Sequence, residues 1–126
     1  QFPTGPTGAT GAGGATGATG ATGTFSLAQT IDNKTASYTA VSGDIGKIIT
    51  MTVATGNNFT VNTSTALTAG QRIDIIQTGA GQTTVVATGV TISATPTLKL
   101  RAQYSAATLI CTASDTYVLA GDLAAS

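Results

Sequence analysis

From Lys47 onward the chain alternates apolar and polar residues in short runs separated by turn signals. The longest run, Lys47 to Val53, puts Ile49, Met51 and Val53 on one face and Ile48, Thr50 and Thr52 on the other. A period of two belongs to a half-buried strand. Thr55-Gly56-Asn57-Asn58 then turns the chain into Phe59-Thr60-Val61-Asn62, and Ala69-Gly70 precedes Arg72-Ile73-Asp74-Ile75. Gly79 and Gly81 read as a hairpin turn into Thr83–Val86, since glycine adopts the positive φ such turns need. Val90–Ile92, Leu98–Arg101, Thr108–Thr112 and Tyr117–Leu119 complete eight or so strands, and no segment has a helical period. Turns at this spacing predict an all-β domain, a β-sandwich or small barrel. Its inward positions are Ile49, Met51, Val53, Phe59, Val61, Ile73, Ile75, Val85, Ile92, Leu98, Leu100, Leu109 and Leu119.

Before residue 25 that pattern is absent and another replaces it. Gly5, Gly8, Gly11, Gly14, Gly17, Gly20 and Gly23 stand at every third position without a slip, in one Gly-Pro-Thr and four Gly-Ala-Thr triplets, with Gly11-Ala12-Gly13 the irregular one. In a collagen triple helix every third residue faces a crowded axis where only hydrogen fits. A flexible linker needs glycine but no period, and Pro3 and Pro6, three apart, pre-set the polyproline II conformation. One such strand makes no internal hydrogen bonds, so the repeat predicts a homotrimer. Seven triplets are short and poor in imino acids, and ordering each residue costs on the order of 1 kcal/mol. A neighbouring domain must therefore hold three chains in register. The chain divides into a collagen-like stalk (1–24), a connector (25–30) and a β-rich trimerisation or head domain (31–126). Its opening on Gln1, with the register starting almost at once, suggests a chain cut from a longer protein or processed.

Composition narrows the chemistry. The 126 residues include 27 threonines, no His, Glu or Trp, and five Lys plus Arg against five Asp. Thr is β-branched and suits strands. Balanced charge without a basic cluster argues against nucleic acid as a partner, and no apolar run approaches the roughly 20 residues that cross a bilayer. Asp32, Asp44, Asp74, Asp115 and Asp122 share no motif, so no catalytic residues are assigned and the chain is read as a non-enzyme. Asp32, Asp44 and Asp115 suit turns or caps, whereas Asp74, between Ile73 and Ile75, points to solvent or to a subunit boundary. Cys111, alone, fits a buried small hydrophobe. Nothing demands a metal or cofactor. Three matches to the N-glycosylation pattern, at Asn33, Asn58 and Asn62, fall within chance in so Thr-rich a chain.

Three segments carry a resemblance: Asp44 to Met51, Gly70 to Gln82, and Leu98 to Tyr104. They resemble a β-rich module of fibre proteins in tailed bacteriophages, and a collagen-like stalk before a β head is similar to the layout of those fibres. The resemblance spans roughly residues 35 to 122 and departs at the final strand, where Tyr117 stands in place of an aromatic-rich ending with Trp. It implies a trimeric structural protein at the virion surface, joined to other virion proteins on its N-terminal side and carrying a head that contacts host cell-surface glycan. Tyr104 and Tyr117 are the candidate contacts. A capsid-decorating head fibre shares every one of these features. A bacterial surface or spore-coat filament is the alternative outside phages.

Overall fold

The computed structural model describes residues 28–126 and is all-β. The nine strands are β1 (Ile31–Lys34), β2 (Tyr38–Thr39), β3 (Ile48–Met51), β4 (Asn57–Asn62), β5 (Arg72–Ile76), β6 (Thr83–Thr88), β7 (Thr91–Ala94), β8 (Ala106–Ala113) and β9 (Thr116–Gly121). The described part of the stalk and connector is limited to Ala28, Gln29 and Thr30, so the seven glycines of the triplet register lie outside the described residues.

Strands alternate between two sheets as the chain advances. β1, β3 and β5 lie side by side in a six-stranded sheet of order β1-β3-β5-β8-β9-β7, while β2, β4 and β6 form a three-stranded sheet. All of the pairings among β1, β3 and β5, and among β2, β4 and β6, are parallel. The first six strands therefore make three stacked coils, each contributing one strand to each sheet. In register, Ile31, Ile48 and Asp74 fall in one row, and Tyr38, Phe59 and Val85 in another. After the third coil the topology changes. β8 and β9 form an antiparallel hairpin, β8 pairs antiparallel with β5, and β7 adds in parallel to β9 as the far edge.

The space between the sheets is filled as the period of two dictates. Ile49, Ile73, Ile75, Leu109 and Leu119 project inward from the larger sheet and meet Phe59, Val61 and Val85 from the smaller, all of them buried. Each such side chain contributes roughly 1.5–3 kcal/mol by leaving water. Of the thirteen predicted core positions, Val53, Ile92 and Leu98 are only half-buried. The core also takes Tyr117, Leu67, Leu123 and Ala40.

The sequence reading is corrected at four points. The segment from Thr78 to Gln82 is not a hairpin turn, since β5 and β6 belong to different sheets. Neither Gly79 nor Gly81 has a positive φ. Their hydrogens instead let the chain lie flush on the coil below, where a Cβ would fall 2.3 Å from the Val53 backbone at Gly79 and 1.8 Å from the Thr55 carbonyl at Gly81. The amides of Gly79 and Gly81 donate to the carbonyls of Met51 and Val53, both at 2.9 Å. Second, Leu98–Arg101 is not a strand of its own: Lys99 and Leu100 make isolated antiparallel bridges to Thr84 and Leu123. Third, Asp32 sits within β1 rather than in a turn. Fourth, the stretch after Ile31 reads as strands but its polar residues give no alternation to bound them, and the structure places β1 and β2 there.

Where the coil leaves one sheet for the other, buried polar side chains take over the hydrogen bonding. Gln77 Oε1 accepts from the Thr83 amide at 3.1 Å, the Thr83 hydroxyl donates to Asn57 Oδ1 at 2.7 Å, and Asn57 Nδ2 donates to the Thr55 carbonyl at 2.9 Å. Buried amides of this kind stabilise only when each finds a partner.

Gly81→Val should therefore cost about 3 kcal/mol or more, because its side chain meets backbone that cannot move aside. Gly56→Ala, with nothing within 4 Å of the added carbon, should stay within about 0.5 kcal/mol of the parent. Urea unfolding of the two variants checks this pair, and equal stabilities would refute the stacking account.

Candidate interaction surfaces

Three surface features stand apart from the rest of the described residues. The first is the outward face of the six-stranded sheet. Positions between the buried ones point outward there, and the middle of the sheet carries Ile48, Ile76, Ile110 and Val118 around the small residues Ala106 and Ala120. Ala106 and Ala120 are exposed, and together with Gly121 they floor a shallow depression bounded by Ile48, Ile76 and Thr108, which continues past Val118 to Ser93. Ile31, at the start of β1, is 67% exposed in the same row as Ile48. Asp74 lies in this row, as the sequence reading had it pointing outward. Its carboxylate accepts from the Thr108 hydroxyl at 2.6 Å and from Gln29 Nε2 at 3.0 Å. The outward face of the three-stranded sheet is more polar, presenting Asn58, Thr60, Asn62, Thr84 and Thr88 around Val86.

The second feature is the loop from Arg101 to Ser105. Tyr104 is 73% exposed and has a φ of 71°, a left-handed conformation that costs a residue with a Cβ. Neighbouring bonds hold it there. The Tyr104 amide donates to the Gln77 carbonyl at 2.5 Å, and Gln103 Nε2 donates to the Thr78 carbonyl at 3.1 Å. Arg101 donates from Nε and Nη2 to both oxygens of Asp122, each at 2.8 Å, and the Ser105 hydroxyl donates to Asp122 Oδ2 at 2.7 Å. The Arg101 guanidinium, and after it the Ser105 hydroxyl, hold the Asp122 carboxyl below the usual carboxylate range.

The third feature is a charged cluster beside the 3-10 turn Ser42–Asp44. Asp44 is buried, and its Oδ2 accepts from the Tyr38 hydroxyl at 2.6 Å and from the Val41 amide at 3.0 Å, a capping role in keeping with its place in the sequence. Its other oxygen has no hydrogen bond but lies 3.3 Å from Lys47 Nζ, so the contact there is ionic. Lys47 also reaches Asp32, 3.4 Å away, and Lys34 pairs with Asp32 at 3.3 Å while sitting over the Tyr38 ring at 4.0 Å. Lys34 lowers the Asp32 pKa, with burial opposing it and Lys47 adding to it, and Asp44 followed by Asp32 raises that of Lys47. Burial first and Asp44 second push the Tyr38 phenol well up. Charges that neutralise one another in this way tie β1, β2 and β3 together.

Tyr117, one of the two candidate contacts, is fully buried, its ring inside the core and its oxygen 3.4 Å from the Leu67 amide. It cannot touch a partner. The alternation Tyr117-Val118-Leu119 carried the signal that would have put it inside, in phase with Leu119. Cys111 is buried, as read, with its thiol within 3.3 Å of the Leu67 carbonyl. Asp115 takes a φ of 50° in the β8–β9 turn. Among the described residues no three His, Cys, Asp or Glu side chains gather as a metal site, and no helix is long and apolar enough to cross a membrane.

No family model, no curated protein and no solved structure matches this chain.

The Asp122 contacts make a prediction about pH. A carboxyl with a folded pKa below its unfolded value adds stability above about pH 3.9, and that stability is lost as pH falls through the folded value. Asp122→Asn should thus flatten the fall in melting temperature between about pH 4 and pH 2. Arg101 and Asp122 are both well exposed, so the effect should shrink in high salt. Melting curves of parent and variant that fall in parallel would exclude it.

Proposed function

We propose that the chain is a structural and interaction protein: the end of a trimeric fibre, in which residues 1–24 form a collagen-like shaft and the β domain holds three chains in register and meets a partner surface. The observation that carries this reading is the unbroken Gly-X-Y register from Gly5 to Gly23, since a period of three has a packing reason only in a triple helix. The phage-fibre resemblance places such a fibre at a virion surface, with host cell-surface glycan as what the head meets.

Two structural features support the reading. The β domain begins at Ile31, directly after the connector, and β1 is an edge strand of the larger sheet. Tyr104, an aromatic side chain held outward on a bonded loop beside Gln103, has the character of a sugar contact: an apolar face to stack on a pyranose ring with amide groups alongside. Three copies would multiply a weak contact by effective concentration.

Light scattering on the full chain should give three times the chain mass of 12.3 kDa. Gly14→Val should lower the melting temperature of the triple-helical circular dichroism signal while the β signal stays intact, because a side chain at the axis disrupts only the shaft. A monomer would sink the fibre reading and reduce the repeat to a linker. Tyr104→Ala should leave the mass unchanged and weaken adhesion to glycan-bearing cells at least tenfold; unchanged adhesion would remove Tyr104 from the contact.

A further inference from the structure

We infer that the outward face of the six-stranded sheet is the surface through which three copies of this chain associate. The inference rests on the trimeric reading above and names its seam.

The argument begins with an inconsistency between the two sheets. A sheet with one face on the core and one in water reads apolar inward and polar outward. The three-stranded sheet largely obeys, with Asn58, Thr60, Asn62, Thr84 and Thr88 outside and Val86 the one apolar residue among them. In the centre of the six-stranded sheet, Ile48, Ile76, Ile110 and Val118 face outward among Thr50, Arg72, Asp74 and Thr108, a far larger apolar share than on the smaller sheet. They surround Ala106 and Ala120, whose small side chains leave an apolar depression. An apolar cluster rimmed by polar residues on an uncovered sheet face marks an association surface. Threonine, abundant in this chain, would serve these positions if they were solvated.

The occupant follows from where the chain enters the domain. Gly23 is the last glycine of the register and Ile31 the first residue of β1, eight residues later. At 3.3–3.6 Å per residue these span at most about 29 Å, so every copy's β1 begins within that reach of the shared axis. Six strands spaced about 4.8 Å apart make a sheet about 24 Å across. That reach is short enough for three domains to set their larger sheets against one another, and the entry row of that sheet opens with Ile31, the most exposed isoleucine. Around a three-fold axis, residues nearest the axis meet their own copies in threes, and the rest of the face meets a different part of the next copy. The one carboxylate in the row, Asp74, is already held by Thr108 and Gln29, which limits the cost of enclosing it.

The test uses the full chain. Ala106→Glu and Ala120→Glu alter exposed positions, so the β fold tolerates them, and each would place three carboxylates in the seam. Both should convert the trimer to a monomer, a threefold drop in mass, with the β circular dichroism retained; Thr88→Glu on the other sheet should stay trimeric. A second readout needs no disruptive change. Ala120→Cys should react with a maleimide at least tenfold more slowly than Thr88→Cys in the assembled protein, and at the same rate after dissociation. Trimers that survive both glutamate variants, or equal labelling rates, would overturn the seam while leaving the fibre reading standing. A monomeric parent chain would overturn both.

Discussion

The fold depends on one close approach: the backbone of Gly79 to Gly81 lying on that of Val53 to Thr55. Successive coils can stack in parallel only if their corners nest, and corners nest only where no Cβ intervenes. Once Gly81 donates to Val53 and Asn57 donates to Gln82, the register of β4 on β6 is set. Phe59 then lies beside Val85 and Val61 beside Ala87. A slip of one residue would turn Phe59 and Val61 to solvent and bring Asn58 and Thr60 inside. The buried Gln77, Asn57 and Thr83 bonds act in the same sense, since each amide loses its partner if the corner shifts.

The coil also sets the limits of the larger sheet. Three parallel strands leave two edges open, and the β8–β9 hairpin covers the one beside β5, bringing Leu109 and Leu119 over the core. Gly121 packs against Ala107, where a Cβ would fall within 3 Å of the neighbouring strand, so close strand contact shapes both ends of the domain. The other edge, β1, pairs with no further strand among the described residues and carries Asp32 and Lys34, charged residues of the sort that discourage open-ended pairing. The Lys34, Asp32, Lys47 and Asp44 contacts hold this edge to the 3-10 turn.

Much of the core was legible because burial and strand periodicity coincide. Ile49, Met51, Ile73, Ile75, Phe59, Val61, Val85, Leu109 and Leu119 could be placed inside from alternation alone. Pairing was not legible, because parallel neighbours lie 17 to 26 residues apart and leave no local mark. Glycines between two strands suggested a hairpin since both a tight turn and a flush backbone contact call for glycine, and sequence does not distinguish these uses. β1 was hidden by its polarity, which suits an edge. Tyr117 was taken for a contact residue on residue type, although its phase with Leu119 put it in the core. The exposed candidate, Tyr104, could be told from the buried one only through the loop bonds that turn it outward.

The placement of apolar residues on two sides of one sheet ties local structure to assembly. β5 is buried inward through Ile73 and Ile75 and carries Ile76 outward beside Arg72 and Asp74; β8 is buried through Leu109 and carries Ala106 and Ile110 outward beside Thr108. Isoleucines on the outer face of a sheet favour a cover on that side too, and among the described residues only the inner side of this sheet is covered. Copies of the same chain would supply the second cover at little further entropic cost once a shaft has brought them together. Conversely, a shaft of seven triplets, too short to hold alone, would gain the register it lacks from three sheets locked at its end. On the proposed fibre reading the two weak associations would belong to one equilibrium, because the connector would make binding at either end raise the effective concentration at the other.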